Sequence, residues 1–339
     1  MRRKKTIKRG LDLLRNKSVA VLGYGSQGRA QALNIRDSGI VPLIGLPSGS
    51  KSRRAAAADG FAIATPDRAI KRSDIIAVLI PDHKHKELFD GLRKLQILSG
   101  KVLVFAHGFS IAFGLVKTPP DCDVILIAPH GPGLRLREDY LDGKPFTAFR
   151  GIDNDHSGKA LQIATAYAAA IGCPENNLFP STFKEEAIGD IFGEQAVLCG
   201  GLVGLMESGF DTLIKKGHSR ESAYLECIYQ LDLLIDLVKQ FGPAGMFERI
   251  SKTAAFGSLK RKEFLFDSGF RKKMEALYDE IQKGRFAKML SRESKKEMGG
   301  LFKMLNASRN SSLQRTHDSL SSRLKSRRRD SGRRRRGGE

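Results

Sequence analysis

Residues 18–28 read SVAVLGYGSQG, an apolar run that leads directly into glycines at positions 23, 25 and 28. This G-x-G-x-x-G spacing, where a predicted strand meets a predicted helix, lets a backbone approach a pyrophosphate. The first glycine permits a tight turn and the second gives the phosphates access to the main chain. The third allows close helix packing, and the helix N-terminus favours the anion. Gly23, Tyr24, Gly25, Ser26, Gln27 and Gly28 are therefore expected to contact a dinucleotide. Outward from this stretch, Val-, Ile- and Leu-rich runs recur at 18–23, 41–46, 75–80, 102–106 and 124–128. Uninterrupted apolar runs of that length suit strands buried on both faces. Residues 27–36 and 86–95 repeat their apolar positions at helical spacing, so the first half predicts a Rossmann-type doubly wound parallel sheet.

Past Phe183 the strand signals stop and apolar residues follow helical spacing over 185–215 and 220–240, which predicts an all-helical second domain. The expected division is 1–181 for the α/β domain, 182–305 for the helical domain and 306–339 for a basic tail. The cluster of Gly, Asp, Asn and Ser at 151–157 predicts a loop, with a helical pattern resuming over 160–171. At 41% hydrophobic and 28% charged residues, the composition is that of a globular chain. Cys122, Cys173, Cys199 and Cys227 form no CxxC pair or Cys/His cluster, so they predict buried free thiols rather than a zinc site or disulfide framework. No continuous apolar run reaches the roughly 18 residues of a spanning segment. The basic start is not followed by a signal-type apolar stretch, and a soluble, cytoplasmic protein is expected.

The net charge of +21 raises the question of a polyanion partner. Much of it sits at the ends, and the Ser- and Arg-rich tail closing in RRRDSGRRRRGGE has too little apolar content to fold alone. That tail is expected to be disordered. It lacks aromatic residues for base stacking, so nucleic acid is not the expected partner.

About twenty residues past the glycine turn, where an NAD-binding protein offers an acid to the ribose hydroxyls, 46–54 reads LPSGSKSRR. Ser50, Lys51, Ser52 and Arg53 offer hydroxyl and cationic donors suited to a 2′-phosphate, which predicts NADPH over NADH. Asp82, after the 75–80 run, and Gly133, in APHGPG, complete the expected cofactor contacts.

Three strings in order, GYGSQGRAQALNIRDSG at 23–39, FAHGF at 105–109 and FGEQAVLCGG at 192–201, resemble the ketol-acid reductoisomerase family in its short form. The similarity runs from about position 12 to at least 287. The resemblance implies an Mg²⁺-assisted alkyl shift of 2-acetolactate or 2-aceto-2-hydroxybutyrate, then NADPH reduction to the dihydroxy acid of valine and isoleucine biosynthesis. It also implies a knotted helical domain and a homodimer or larger homo-oligomer whose active site is shared between subunits. By the same resemblance, Asp190 with Glu194 and Glu226 with Gln230 match the two metal pairs that hold two Mg²⁺ ions. Hard Mg²⁺ prefers oxygen ligands, and carboxylates are their usual protein source. His107 and His130 match the family's catalytic positions, and Ser251 matches a serine that contacts substrate.

The chain departs from the family at several of these places. Gln230 stands where a second glutamate is usual, His130 where a lysine precedes GPG, and Pro47 where an arginine is common. Around Ser251, ERISKTAAFG replaces the usual SISDTAEYG. Two alternatives therefore stay open: a family member with impaired catalysis, and a dinucleotide-fold protein with a regulatory or nucleic-acid-associated role carried by its basic tail.

Overall fold

The computed structural model describes residues 11–321, and the chain forms two compact units that divide after Asp190. The basic stretch 1–9 and the Arg-rich end 322–339 lie outside the described residues, as does the part of the expected disordered tail that falls there.

The first unit is built on one eight-stranded sheet in the order β3-β2-β1-β4-β5-β6-β7-β8. Its strands are β1 (Val19–Leu22), β2 (Leu43–Gly45), β3 (Ile63–Ala64), β4 (Ile75–Val78), β5 (Val102–Phe105), β6 (Asp123–Pro129), β7 (Ala148–Asn154) and β8 (Leu178–Pro180). The strands from β3 through β6 are parallel, β7 pairs antiparallel with β6, and β8 runs parallel to β7. The helices of this unit are α1 (Ser26–Asp37), α2 (Ser52–Ala58), α3 (Pro66–Lys71), α4 (His85–Leu95), α5 (Phe109–Ala112), α6 (Gly133–Leu141) and α7 (Ala160–Ile171), with α8 (Phe183–Gly193) leading out of it.

Alternate residues of each central strand enter opposite cores. Val19, Val21, Ile75, Ala77, Val102 and Val104 face one layer with Ile35 and Tyr167, while Ala20, Leu22, Ile76, Val78, Leu103 and Phe105 face the other with Ile70, Phe89 and Leu92. Burial on both faces explains why the strands read as unbroken apolar runs. Polar groups inside the first layer are paired: the Tyr167 hydroxyl donates to Gln31 Oε1 at 2.7 Å and the Asn34 amide to the Ile171 carbonyl at 2.8 Å.

The loop expected over 151–157 is corrected in part, because 151–154 complete β7. Pairing with β6 stabilises a polar sequence here: Gly151 lies opposite Leu126 in the ladder, and the Asn154 amide donates to the carbonyls of Pro120 and Cys122. Burial of all four thiols is also corrected. Cys122 and Cys173 are buried, but Cys199 is exposed and Cys227 is half-buried.

The second unit is helical. It contains α9 (Gly200–Lys215), α10 (Arg220–Tyr224), α11 (Leu231–Arg249, broken at Gly242), α12 (Lys252–Leu265), α13 (Ser268–Gln282), α14 (Arg285–Ser294) and α15 (Gly299–Arg309). Single π-helical turns at Glu194–Leu198 and Leu225–Tyr229 interrupt the α-helical run. The tail is ordered further than its composition predicts. Residues 312–321 are helical, and Leu320 is buried with Phe210, Ala223 and Tyr224, while the Tyr224 hydroxyl bonds His317 Nδ1 at 2.7 Å. A few apolar side chains with a core to enter outweigh the polar average of the segment.

Much of the second unit's apolar surface is uncovered, including Val197, Leu198, Leu233, Phe256, Phe264, Met289 and Phe302. The helical run Phe183–Lys215, 33 residues with a window of mean hydropathy 1.4, is by length and composition alone able to cross a bilayer, and only 6% of that window is buried. No continuous apolar run of 18 residues lies within it, since charged, Gly and Ser residues interrupt the pattern; the window qualifies on its mean alone.

Candidate functional site

The carboxyl ends of β1, β2, β4, β5 and β6 carry the candidate residues of the first unit, apart from Asp190 on α8. Strand order reverses between β1 and β4, and ligands of doubly wound sheets bind at such a switch point. Gly23 leaves β1 with φ +97°, and a Cβ there would lie 2.5 Å from the Leu79 carbonyl oxygen. A side chain on Gly28 would lie 2.5 Å from the Gly23 oxygen, which is the close packing expected of the third glycine. Gly25 has nothing within 4 Å of its Cβ position, so its backbone is open to a ligand. No acidic residue occupies the first turn of α1. An open turn facing an uncompensated helix N-terminus suits a pyrophosphate.

The loop after β6 is fastened to this turn. A Cβ on Gly133 would sit 2.1 Å from the Ser26 carbonyl oxygen, its N–H donates to Ser26 Oγ at 3.1 Å, and Gln27 Nε2 donates to the Gly131 carbonyl at 2.9 Å. Ser26, Gln27 and Gly133 thus define one surface. Tyr24 points elsewhere: its phenol is nearly buried and donates to Asp59 at 2.8 Å, and burial with that contact pushes its pKa well up. What Tyr24 can offer a cofactor is backbone.

In the loop after β2, the Ser50 hydroxyl accepts from the Ser52 N–H at 3.3 Å, while Lys51 is exposed. Asp82 opens the turn after β4, its Oδ1 3.7 Å from His85 Nδ1. His85 is buried, with Nε2 donating to the Ile80 carbonyl at 3.0 Å and Nδ1 2.7 Å from Ser110 Oγ. A carbonyl can only accept, so in the neutral ring Nδ1 receives the Ser110 proton. Burial lowers the His85 pKa, in keeping with that neutral form.

His107 follows β5 and meets α8. Its Nδ1 donates to both oxygens of the buried Glu186 at 3.1 Å and lies 3.5 Å from Asp190 Oδ2. Glu186 also accepts the Gly108 N–H at 2.6 Å, and a Cβ on Gly108 would come within 2.1 Å of the Phe183 oxygen. Burial works against a charged His107, but the hydrogen bonds and charge of Glu186, then Asp82 and Asp190, outweigh it and raise its pKa to about 9. His107, Glu186 and Asp190 bring ligand atoms within 4.8 Å of one another. Glu186 is the residue that reading the sequence missed. Its signal is the i,i+4 spacing to Asp190, which puts both carboxylates on one helix face. The donor chemistry fits a hard divalent ion through Asp190, whose side chain is about half exposed, whereas Glu186 is committed to His107 and Gly108.

His130 follows β6, its Nδ1 3.1 Å from Thr147 Oγ1 and its ring edge-on to Phe149 at 4.4 Å. Burial lowers its pKa, so it is neutral at neutral pH and does not replace a lysine's charge.

Within the second unit, both remaining carboxylates lie on π turns. Glu194 begins the first and Glu226 is the second residue of the other. A π turn inserts one residue and re-aims the side chains around it, and such turns often mark functional sites. Gly201 makes the first possible, since a Cβ would fall 2.0 Å from the Ala196 oxygen. Gln230 closes the second, its Nε2 donating to the Leu225 carbonyl at 3.2 Å and reaching Glu226 Oε2 at 3.4 Å. Ser251 caps α12 by accepting the Ala254 N–H at 3.1 Å.

A glycine turn at the switch point with a carboxylate-held histidine two strands away defines a dinucleotide-binding oxidoreductase. Residues 13–176 match the family described as "Acetohydroxy acid isomeroreductase, NADPH-binding domain", and 183–326 match "Ketol-acid reductoisomerase, C-terminal domain". The chain belongs to the ketol-acid reductoisomerase family. It is similar in structure to an NADH-preferring ketol-acid reductoisomerase from an uncultured archaeon, with TM-score 0.87 and 35% identity over 91% of this chain and 95% of that one. A putative oxidoreductase from a Jannaschia species (TM-score 0.63, 16% identity, 81% and 98% covered) shares the fold. So does a semialdehyde dehydrogenase NAD-binding protein from Cupriavidus necator (0.61, 16%, 79% and 99%).

Proposed function

We propose that this chain is a working NADPH- and Mg²⁺-dependent ketol-acid reductoisomerase that takes 2-acetolactate or 2-aceto-2-hydroxybutyrate to the 2,3-dihydroxy acid. In cells it would serve valine and isoleucine biosynthesis from the cytoplasm. The observation that carries this reading is the His107–Glu186–Asp190 cluster beyond β5, in the same unit as an open glycine turn with no acid in its helix's first turn. By resemblance, Asp190 with Glu194 and Glu226 with Gln230 would hold two Mg²⁺ ions, which when bound polarise the carbonyl and lower the pKa of the migrating group's neighbouring hydroxyl.

The chain's own residues have definable parts. Glu186 fixes the His107 ring by engaging Nδ1, which leaves Nε2 to donate a proton to, or hydrogen-bond, a substrate oxygen. The preference for NADPH rests on the absence of any acid over 46–54 and on Ser50, Lys51 and Ser52 as donors. The archaeal relative is an NADH-preferring enzyme, and comparing NADPH with NADH as the reductant in turnover tests the opposite preference proposed here.

A homodimer or larger assembly is part of the same reading. Large apolar side chains of the second unit, Phe256, Phe264 and Phe302 among them, are exposed, and a second copy would cover such side chains.

The experiment is steady-state turnover of 2-acetolactate with NADPH and Mg²⁺, paired with Asp190→Asn. Turnover by the parent, and its loss in the variant with NADPH binding kept, supports the reading; no turnover by the parent at any Mg²⁺ concentration rejects it. A second reading, a family member with impaired catalysis, is favoured by Gln230, which meets Glu226 with an amide N–H, and by the neutral state of His130.

A further inference from the structure

The loop after β2 sets the adenosine end of a dinucleotide site, because β2 ends where the ribose of the bound nucleotide falls. In this chain position 47, at the start of the loop, is Pro47, which offers no donor. Three cations follow: Lys51, Arg53 and Arg54. They are not equivalent. Lys51 and Arg54 are exposed, and among the described residues no hydrogen bond or ion pair fixes either head group. Arg53, on the first turn of α2, is half-buried, and its Nη1 donates to the Leu46 carbonyl at 2.9 Å.

We infer that Arg53 is the cationic determinant of 2′-phosphate recognition in this chain. The inference deepens the cofactor preference proposed above and rests on it. Leu46 is the first residue past β2, so its carbonyl holds the guanidinium at the strand end. One of five N–H donors is spent on that carbonyl, and the remaining fork can meet a phosphate through two parallel charge-assisted bonds. Anchoring removes rotamer freedom before the ligand arrives, so less is lost on binding than for a free lysine.

No acid neutralises the group. Residues 46–54 contain none, no carboxylate pairs with Arg53 among the described residues, and Asp59 at the far end of α2 is taken up by Arg29 and Tyr24. Ser50 carries no charge; its hydroxyl oxygen accepts the Ser52 N–H, which leaves its O–H to donate to the phosphate beside the Arg53 cation.

The test measures dissociation constants of NADPH and NADH by nucleotide fluorescence on the full chain. It compares the parent, Arg53→Ala, Arg54→Ala as an exposed control, and Arg53→Ala combined with Pro47→Arg, with folding checked by circular dichroism. Arg53→Ala is expected to weaken NADPH by about tenfold or more, with NADH changed by less than about threefold. Arg54→Ala should change the ratio little, and Pro47→Arg should restore much of the loss. The parent's NADPH preference should fall with added salt, and that of Arg53→Ala should not. Equal weakening of both nucleotides would make Arg53 a loop anchor only and overturn the inference. An NADPH preference that survives Arg53→Ala would overturn it while leaving the cofactor reading intact. A parent without NADPH preference would reject both.

Discussion

At the residue scale, the pairing of His107 with Glu186 makes a pH prediction whose sign is fixed. The folded-state pKa of His107 is raised from 6.5 to about 9, so its stabilisation is complete below 6.5 and is lost as pH rises through 9. In protein freed of divalent ions, the urea midpoint should fall across this window, by a free energy on the order of 3 kcal/mol at most. Glu186→Gln should flatten the fall. A midpoint that stays level from pH 6.5 to 9 in the parent would show that the carboxylate does not hold the proton. Gln230 and His130 carry the second prediction at this scale. Gln230 offers an amide where a charge is usual, and His130 is neutral at neutral pH. Gln230→Glu with His130→Lys should therefore raise turnover at least about tenfold, roughly 1.4 kcal/mol of barrier. Turnover of 2-acetolactate against Mg²⁺ concentration checks it; a parent already fully active at ordinary Mg²⁺, with no gain in the double variant, would show that neither substitution impairs the site.

At the scale of elements, two glycines separate binding from folding. Gly25→Ala adds a methyl group where nothing lies within 4 Å, so the melting temperature should hardly move while cofactor affinity falls. Gly133→Ala drives a Cβ to 2.1 Å from the Ser26 oxygen, so the loop after β6 must leave the glycine turn. That variant should lose both cofactor affinity and stability, the latter by about 1–3 kcal/mol. Calorimetric melting with and without NADPH distinguishes the two cases, and similar behaviour of both variants would contradict the packing described. The glycine positions were legible in the sequence because spacing alone encodes a tight turn at a strand end. The partner of Gly133 was not, because 107 residues of chain separate it from Ser26. The π turns were equally hidden: 185–215 and 220–240 have helical periodicity throughout, and one inserted residue hardly disturbs an apolar pattern.

At the scale of the whole molecule, truncation tests the ordered part of the tail. Removing 322–339 should leave melting temperature and NADPH affinity unchanged. Ending the chain at 311 deletes the helix carrying Leu320 and His317, exposing Phe210, Ala223 and Tyr224. That should destabilise the second unit by about 2–5 kcal/mol. Equal melting temperatures for both truncations would mean that this helix contributes nothing. The uncovered apolar surface makes a further prediction: sedimentation should find at least a dimer at micromolar concentration, and a monomer there would leave the intersubunit site without support.

The sequence by itself determined five strands of the parallel part of the sheet, the glycine turn, the family and the motifs that carry His107 and Asp190; the strands Ile63–Ala64, Ala148–Asn154 and Leu178–Pro180 were left to the structure. Each is written locally, as a run, a spacing or a short string, and a local pattern needs no partner to be read. Tertiary structure alone decided that Glu186 holds His107, that Tyr24 turns away to Asp59, that Arg53 is anchored at the end of β2, and that 312–321 packs rather than remaining free. These outcomes depend on which groups the folded chain brings within a few ångströms of one another. A hydrogen bond or a buried contact acts only at that range, so composition and periodicity carry no record of it.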